Sequence, residues 1–328
     1  MIHWRWIWHG VMIFQSAILM LLLSPAAGCA ETCDDLVTMM QNWAPSMQDK
    51  AKSALAYTIK KNVLNMDPEQ FTENTFLLGH FINPDAPDLA VGISVPPREG
   101  NLVILSKGNS QCLPRATVTG IAFIESMEST QLFPCPLEQI VLNLYGGGSG
   151  KQHWGKDIYR WDGTKMRMIW AWVRKDIDVK WPPGPKGIDG HFVRSEARII
   201  DSGVGSPKEI HTLSVVDVGV FSRRKGHRSE LEEVTSHIER RQVHRWDDSL
   251  FFYLAKHGEI LPPRISVNCQ EGVPQKKGSE TLAAGRVVGI LDVPGAHRSS
   301  DEDYHAVIGK EHFCEIPKLA VRVLEEGK

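Results

Sequence analysis

The chain has 328 residues, of which 37 are basic and 39 acidic, so its formal net charge is −2. This balance argues against nucleic acid as a partner, because phosphate binding needs a basic field. Hydrophobic residues make up 42% of the chain. About 300 residues remain after N-terminal processing, which is enough for one large all-β domain or two modest ones.

The first 28 residues are typical of a secretory signal peptide. They begin with MIHWRWIWHG, whose one firm positive charge is Arg5, and continue into the apolar run VMIFQSAILMLLL and the small residues that follow. The apolar run is short for a membrane span, which needs ~20 residues, and small residues follow it directly. We therefore predict export, with residues 1–28 as the signal peptide, 29–70 as an N-terminal helical segment and 71–328 as a β-repeat domain.

The residues around Cys29 predict how the signal is removed. Residues 26–29 read AAGC, which resembles the bacterial lipobox, in which the cysteine becomes the acylated first residue of a lipoprotein. Ala27 and Gly28 fit that motif, whereas Ala26 stands where leucine is favoured. The resemblance implies lipidation of Cys29. In a host with two membranes it also implies outer-membrane sorting, because Ala30 is not the aspartate that retains lipoproteins in the inner membrane. The alternative is ordinary cleavage that releases a soluble periplasmic protein.

Disulfides are the default expectation for cysteines in an exported chain. The six cysteines are Cys29, Cys33, Cys112, Cys135, Cys269 and Cys314. The sequence does not fix their pairing, but the most local choices join Cys112 to Cys135 and Cys269 to Cys314. Lipidation of Cys29 would leave Cys33 as a free thiol, whereas without the lipid these two could close a small ring.

The hydrophobic pattern changes from helical to strand-like near Phe71. Before it, Met47, Ala51, Leu55 and Ile59 recur every four residues, which predicts an amphipathic helix. After it, apolar runs such as LAVGISV, NLVIL and QIVLNLY are separated by turn residues, which predicts β-strands. No long helical pattern interleaves the strands, so a parallel α/β sheet is not expected.

Two decapeptides, DIYRWDGTKM and QVHRWDDSLF, share an Arg-Trp-Asp core. On a strand, Trp161 and Trp246 would point away from the flanking Arg and Asp, into the core or a seam between repeats. Asp162 and Asp247 would each begin a turn, because an aspartate side chain can satisfy turn backbone groups. Stacking of a sugar on the tryptophans is the alternative, and it requires that they be exposed.

The decapeptides belong to longer units. An acidic residue, Glu138 or Glu209, closely precedes an aliphatic strand, a turn-rich stretch follows, and the Arg-Trp strand comes next. An earlier unit around Asp88 has the same order of acid, strand, turn and strand. Repeats at intervals of tens of residues indicate one supersecondary unit used several times, with apolar faces that must stack to be buried.

GHFINPDAPDLAVG at 79–92 resembles the FG-GAP or VCBS repeat of integrin-type β-propellers. The matching positions are Gly79, Phe81, Pro87, Asp88 and Leu89. ARIIDSGVGSPKEI at 197–210 resembles a second copy, and its matching positions are Asp201, Pro207, Glu209 and Ile210. The resemblance implies a mostly β fold of propeller-type repeated antiparallel units after the short helical segment. A β-sandwich is the alternative, because only three units are readable and a closed propeller usually has four or more.

In the repeat family this loop is often a calcium site, which needs six to eight oxygen ligands. In the first copy His80, Ile82 and Pro84 stand where oxygen-bearing side chains would be. In the second, Gly203 and Gly205 replace the middle ligands. We therefore predict that the loops keep their turns without a metal, and we predict no cofactor.

The densest group of possible metal ligands lies at 296–305, AHRSSDEDYH. Its members are His297, Asp301, Asp303 and His305. Imidazole with carboxylate can bind zinc, but without tight spacing a solvated loop is the better interpretation. No catalytic triad or carboxylate pair stands out. We therefore predict a non-catalytic binding or scaffold protein of the cell envelope, with an envelope protein or glycan as partner. The alternative is a metal-dependent or hydrolytic enzyme that uses the 296–305 loop.

Overall fold

The computed structural model describes residues 73–95, 99–107, 112–148, 151–179, 188–221, 231–271, 276–291, 303–309 and 312–324. The predicted signal peptide, Cys29, Cys33 and the helical segment 29–70 lie outside these residues. The described part is built from nineteen strands in three antiparallel sheets, which confirms the mostly β class. None of its helices has the length and hydropathy needed to span a membrane.

The first sheet is a four-stranded meander in the order β1-β2-β3-β4. Its strands are β1 (Glu73–Gly79), β2 (Asp88–Val95), β3 (Glu99–Lys107) and β4 (Cys112–Ile121). We call it meander 1. Apolar residues fill both faces of β2 and β3, and Leu89, Val91, Leu102 and Val103 are fully buried.

The second sheet has eight strands in strict chain order, β5 to β12. The strands are β5 (Phe123–Thr130), β6 (Gln139–Gly148), β7 (Lys151–Trp161), β8 (Met166–Val179), β9 (Ile188–Ile200), β10 (Glu209–Phe221), β11 (Leu231–Asp247) and β12 (Phe252–Leu254). The pairing of β8 with β9 covers only residues 175–179 and 190–194. The sheet therefore consists of two four-stranded meanders joined at one end, meander 2 (β5–β8) and meander 3 (β9–β12).

The three meanders share one plan. Eight residues connect the first strand to the second in each of them, at 80–87, 131–138 and 201–208. Four residues connect the third strand to the fourth in meanders 2 and 3, at 162–165 and 248–251. Equal connection lengths at equal places show that the same supersecondary unit occurs three times, although the strands of meander 3 are much longer.

The meanders pack face to face in chain order. One apolar cluster joins meander 1 to meander 2, and it includes Phe81, Leu102 and Ile104 with Ile140, Tyr159 and Met166. Another joins meander 2 to meander 3, and it includes Val141, Ile158 and Trp170 with Ile210 and Tyr253. Each large side chain buried in this way stabilises the fold by about 1.5–3 kcal/mol. Because each seam takes side chains from two meanders, no meander buries its faces alone.

The third sheet has seven strands in the order β15-β14-β18-β17-β16-β13-β19. Its strands are β13 (Lys256–Ile260), β14 (Arg264–Glu271), β15 (Lys276–Ala283), β16 (Val287–Leu291), β17 (Asp303–Gly309), β18 (His312–Pro317) and β19 (Val321–Leu324). It packs against β12 through a cluster that includes Phe252, Leu254 and Val307. A Cβ at Gly289 would lie 2.3 Å from Leu254 Cδ1, so a larger residue there would have to displace the buried Leu254 side chain.

Cysteine pairing follows the prediction in one case and departs from it in the other. Cys269 of β14 and Cys314 of β18 form a disulfide across neighbouring strands, as predicted. Cys135 is free, and its thiol lies 3.6 Å from the carbonyl oxygen of Leu137, inside the eight-residue connection of meander 2. Cys112 is disulfide-bonded. The predicted Cys112–Cys135 pair is therefore wrong, because proximity in sequence did not bring β4 and this connection together.

Candidate functional site

The first repeat loop is closed by Asp88, which is fully buried at the start of β2. Its Oδ2 accepts backbone N–H groups from Phe81 at 3.0 Å, Ile82 at 2.7 Å and Asn83 at 3.1 Å. Its Oδ1 accepts the hydroxyl of Ser106 on β3. Both oxygens of the carboxylate therefore bind groups of the protein itself.

The loop of meander 2 uses an amide in the same place. Gln139 begins β6 and is fully buried, and its Oε1 accepts the backbone N–H of Leu132 at 2.7 Å. This bond spans seven residues, as does the bond from Phe81 N–H to Asp88. Glu138, the residue before, accepts the N–H of His80 at 2.9 Å and donates its own N–H to the His80 carbonyl at 2.7 Å. These two bonds tie the second loop to the first.

The two acidic residues at the loop of meander 3, Asp201 and Glu209, have different partners. Asp201 is exposed, and its Oδ1 lies 3.5 Å from Lys208 Nζ. Glu209 begins β10 and accepts bonds from His211 and Arg245, each at 2.9 Å, and these bonds lower the pKa of Glu209 below its usual value. The N–H of Lys208 donates to the Leu132 carbonyl at 2.8 Å, which ties the third loop to the second. Asp201 and Glu209 therefore bind different side chains of the protein.

The two Arg-Trp-Asp segments occupy corresponding places, at the end of the third strand of their meanders. Asp162 Oδ1 accepts the backbone N–H groups two and three residues on, at 2.8 and 2.9 Å, and the Thr164 hydroxyl at 2.7 Å. Asp247 Oδ1 does the same at 2.8 and 3.0 Å, with the Ser249 hydroxyl at 2.6 Å. Burial raises the pKa of Asp162, but the hydrogen bonds of the turn outweigh it and hold that pKa below its usual range. Both aspartates are turn-forming residues.

The tryptophans of these segments lie in the seams between meanders. Trp161 packs against the cluster that meander 2 shares with meander 1. Trp246 packs against the cluster that meander 3 shares with meander 2, where the rings of Phe133 and Phe251 lie edge-on to it at 4.8 and 5.0 Å. The guanidinium of Arg160 sits 3.6 Å from the Phe133 ring centroid. Each tryptophan therefore faces the preceding meander, and neither forms an open platform for a sugar.

The ligands predicted at 296–305 are only partly described. His297 and Asp301 lie outside the described residues. Asp303 begins β17, opposite Pro317 of β18. His305, two residues on, is half-buried and lines a cavity beside the Cys269–Cys314 disulfide.

A group of ionisable residues that the sequence did not reveal lies where β7, β8 and β9 meet. Asp176 of β8 sits between two imidazoles, with its Oδ1 3.3 Å from His153 Nδ1 and its Oδ2 2.9 Å from His191 Nε2. Because a carboxylate only accepts hydrogen bonds, His153 Nδ1 and His191 Nε2 must each carry a proton. Burial raises the pKa of Asp176, but these two bonds more than compensate, so the pKa is lowered overall. We call His153, Asp157, Asp176 and His191 the histidine–aspartate cluster.

Asp157 is the unusual member of the histidine–aspartate cluster. Burial raises its pKa to about 7, and the charge of His153 offsets that effect in part. His153, Gly155 and Asp157 alternate along β7 on one face, and His153 Nε2 lies 3.4 Å from where a Cβ of Gly155 would be. Because Gly155 has no side chain, the His153 ring has room to lie along the strand. The cluster reaches solvent, since the His153 side chain is 45% exposed.

Asp157 and His153 interact through their charges, and a carboxyl with a pKa near 7 is of the kind that takes part in proton transfer. The metal-binding alternative has less support. Among the described residues, Cys269, Glu280 and Cys314 are the group whose ligand atoms all lie within 4.8 Å of one another. Their two sulfurs form the disulfide, so no thiolate is free to bind a metal. The histidine–aspartate cluster does not meet that spacing.

Comparison with protein families, with curated proteins and with solved structures found no match to this chain.

Proposed function

We propose that the chain is an exported, non-catalytic binding or scaffold protein of the cell envelope, anchored by a lipid on Cys29 and built on degenerate propeller-type repeats. The observation that carries the proposal is the threefold use of one meander whose first loop is closed by its own side chains. Asp88 and Gln139 bind loop backbone groups, and in the loop of meander 3 the Ser202 hydroxyl donates to the Pro207 carbonyl. Stacked meanders of this kind offer loops and edges on a rigid body.

Export is supported by the N-terminal sequence and by the cysteines. Residues 1–28 carry a charged start, an apolar middle and a small-residue end. The Cys269–Cys314 disulfide and the disulfide-bonded Cys112 fit an oxidising compartment, since such bonds are rare in the cytosol.

The surface best suited to a partner is the part of meander 3 whose edges no neighbouring described strand covers. We call it the outer ribbon, and it consists of residues 195–221 and 231–243. Within the described residues, β8 covers β9 only up to Arg194, and β12 covers β11 only from Arg245. The ribbon thus has two edges that no described strand covers, and a strand of a partner can add to an edge of this kind.

The outer ribbon also carries much of the exposed apolar surface. Six of the ten exposed large apolar side chains of the described residues lie there, namely Ile199, Ile200, Val204, Val218, Val234 and Ile238. Apolar side chains beside uncovered edges suit a protein partner that adds a strand. A glycan would instead need exposed aromatic rings, and Trp161 and Trp246 are packed in seams.

Anchoring is tested by detergent phase partitioning of the full-length protein expressed in a host with lipoprotein processing. The wild type is expected in the detergent phase and Cys29→Ala in the aqueous phase. Cys33→Ala is the matched control and should stay with the detergent. A wild type found in the aqueous phase would refute the lipid anchor.

Partner binding is tested with a photocrosslinking residue placed at Val204, which is fully exposed in the connection between β9 and β10. We expect one discrete adduct with an envelope protein in living cells. The adduct should be lost when Ile199 and Ile200 are both changed to lysine. The same residue placed at Thr164, an exposed turn of meander 2, should give no adduct. Absence of an adduct at Val204, or an identical adduct from both sites, would count against the proposal.

A further inference from the structure

A cavity of about 460 Å³ lies on the third sheet, across β14, β18 and β17. Four of the side chains in its wall are Asn268, His305, Phe313 and Glu315. The volume falls within the range of roughly 300–1,000 Å³ that small-molecule sites occupy. The cavity is therefore large enough for a small organic molecule.

Strand register places these side chains on the outer face of the sheet. The two disulfide cysteines are paired across β14 and β18 and belong to the apolar cluster on the other face. Their neighbours in the strands point the opposite way. Glu315 is the direct partner of Asn268 on one side and of His305 on the other. Because direct partners have Cβ atoms about 4.5–5.5 Å apart, the amide, the carboxylate and the imidazole form one row.

The carboxylate of Glu315 is available to a ligand. Glu315 is exposed, and no lysine, arginine or histidine of the described chain forms an ion pair with it. The side chain of Asn268 is also exposed and makes no hydrogen bond within the described residues. A carboxylate and an amide oxygen both accept hydrogen bonds, so the two together suit a donor that carries a positive charge.

Phe313 supplies the apolar part of the wall. It lies two residues from Glu315 along β18, on the same face, and it is half-buried. Its ring packs against Phe252 of β12, with 5.8 Å between the ring centroids, so the cavity borders the contact between the third sheet and meander 3. An aromatic ring beside a carboxylate favours a cation with an apolar body, because the ring also attracts positive charge.

An anion or a metal ion fits the cavity less well. The wall contains no lysine or arginine, and the charge of Glu315 would repel an anion. Among the described residues, the three that could jointly hold a metal ion include neither Glu315 nor His305. The chemistry of the wall therefore favours an organic cation.

We propose that this cavity binds a small organic amine. The ammonium group donates hydrogen bonds to the Glu315 carboxylate and the Asn268 amide oxygen, and the apolar part of the ligand lies against the Phe313 ring. The site shares no residue with the outer ribbon. Amine binding is therefore a second function of the chain, separate from the addition of a partner strand.

The test compares three probes of one shape on the folded, full-length protein. Benzylamine, benzyl alcohol and benzoate carry a positive charge, no charge and a negative charge at neutral pH, and ligand-observed NMR titration gives the Kd of each. Benzylamine should bind at least about tenfold more tightly than the other two, because it alone can form a charged hydrogen bond with Glu315. Equal affinity for the three probes would overturn the proposal, as would no binding of benzylamine up to about 10 mM.

A pair of matched variants locates the binding. Glu315→Gln keeps the shape of the side chain but removes its charge, and it should weaken benzylamine binding by about tenfold while the Kd of benzyl alcohol stays unchanged. Glu196→Gln removes an exposed carboxylate from β9 of meander 3 and should bind benzylamine as the wild type does. Both positions are exposed, and equal melting temperatures confirm that both variants fold. Wild-type affinity in Glu315→Gln, or equal weakening in the two variants, would show that the amine does not bind in this cavity.

Discussion

Replacing Asp157 with asparagine is expected to stabilise the protein at alkaline pH. Burial raises the pKa of this carboxyl from 3.8 to about 7, so the folded state binds its proton more tightly than the unfolded chain does. The stability that the protonated group supplies is complete below pH ~4 and is lost as the pH rises through 7. At pH 8 the folded protein therefore holds an unfavourable charge that asparagine lacks.

The size of the effect follows from the shift. A change of about three pKa units at about 1.36 kcal/mol each gives ~4 kcal/mol as an upper limit. Because the residue keeps some solvent exposure, we expect a gain of about 2–4 kcal/mol in the free energy of unfolding at pH 8. At about 2–4 °C per kcal/mol, the melting temperature should rise by roughly 5–15 °C.

The assay is urea and thermal unfolding of wild type and Asp157→Asn at pH 8 and pH 5. The gain should fall to less than half at pH 5, where the wild-type carboxyl is already protonated in the folded state. Asp189→Asn, at an exposed position on β9, is the control and should change little at either pH. An asparagine variant no more stable than wild type at pH 8, or a gain independent of pH, would show that this carboxyl is not held neutral by burial.

Three further predictions concern the loops and turns. Asp88→Ala should lower the free energy of unfolding by about 3–5 kcal/mol in urea titrations, because three backbone N–H groups lose their acceptor; a loss below 1 kcal/mol would mean that water replaces the carboxylate. Asp162→Ala and Asp247→Ala should each cost about 1–2 kcal/mol, whereas exposed Asp201→Ala should stay within about 0.5 kcal/mol; clearly unequal costs for the two turns would contradict their equivalence. Melting temperatures in calcium and in a chelator should differ by less than about 1 °C, and calcium-dependent stabilisation would contradict the account of the loops.

Local chemistry made parts of this fold predictable from the sequence. Alternation of apolar runs with turn residues predicted the mostly β class, which is confirmed. The aspartates of the Arg-Trp-Asp segments were predicted to begin turns, and Asp162 and Asp247 make that set of bonds. The Cys269–Cys314 pair was predicted from proximity along the chain and is confirmed.

Other features depend on long-range register, which one sequence does not encode in any local pattern. Asp176 meets His153 and His191 only because β7, β8 and β9 are aligned in one sheet. The sequence did hold a faint signal, since Asp176 and Asp178 alternate with the apolar residues Ile177 and Val179 at the end of β8. The wrong Cys112–Cys135 pairing has the same origin, because distance along the chain says little about which strands become neighbours.

The strands of meander 3 are longer than those of meander 1. β11 has 17 residues whereas β3 has nine, so at ~3.3 Å per residue the two strands measure roughly 56 and 30 Å. The connections 201–208 and 248–251 lie at the same end of meander 3, so the surplus of ~26 Å extends toward the opposite end, where β9 pairs with the end of β8. The exposed Val204 lies in the 201–208 connection, in which Lys208 bonds to Leu132 of meander 2. The added length therefore separates this connection from the strand ends near residues 221 and 231 and does not carry Val204 away from the body.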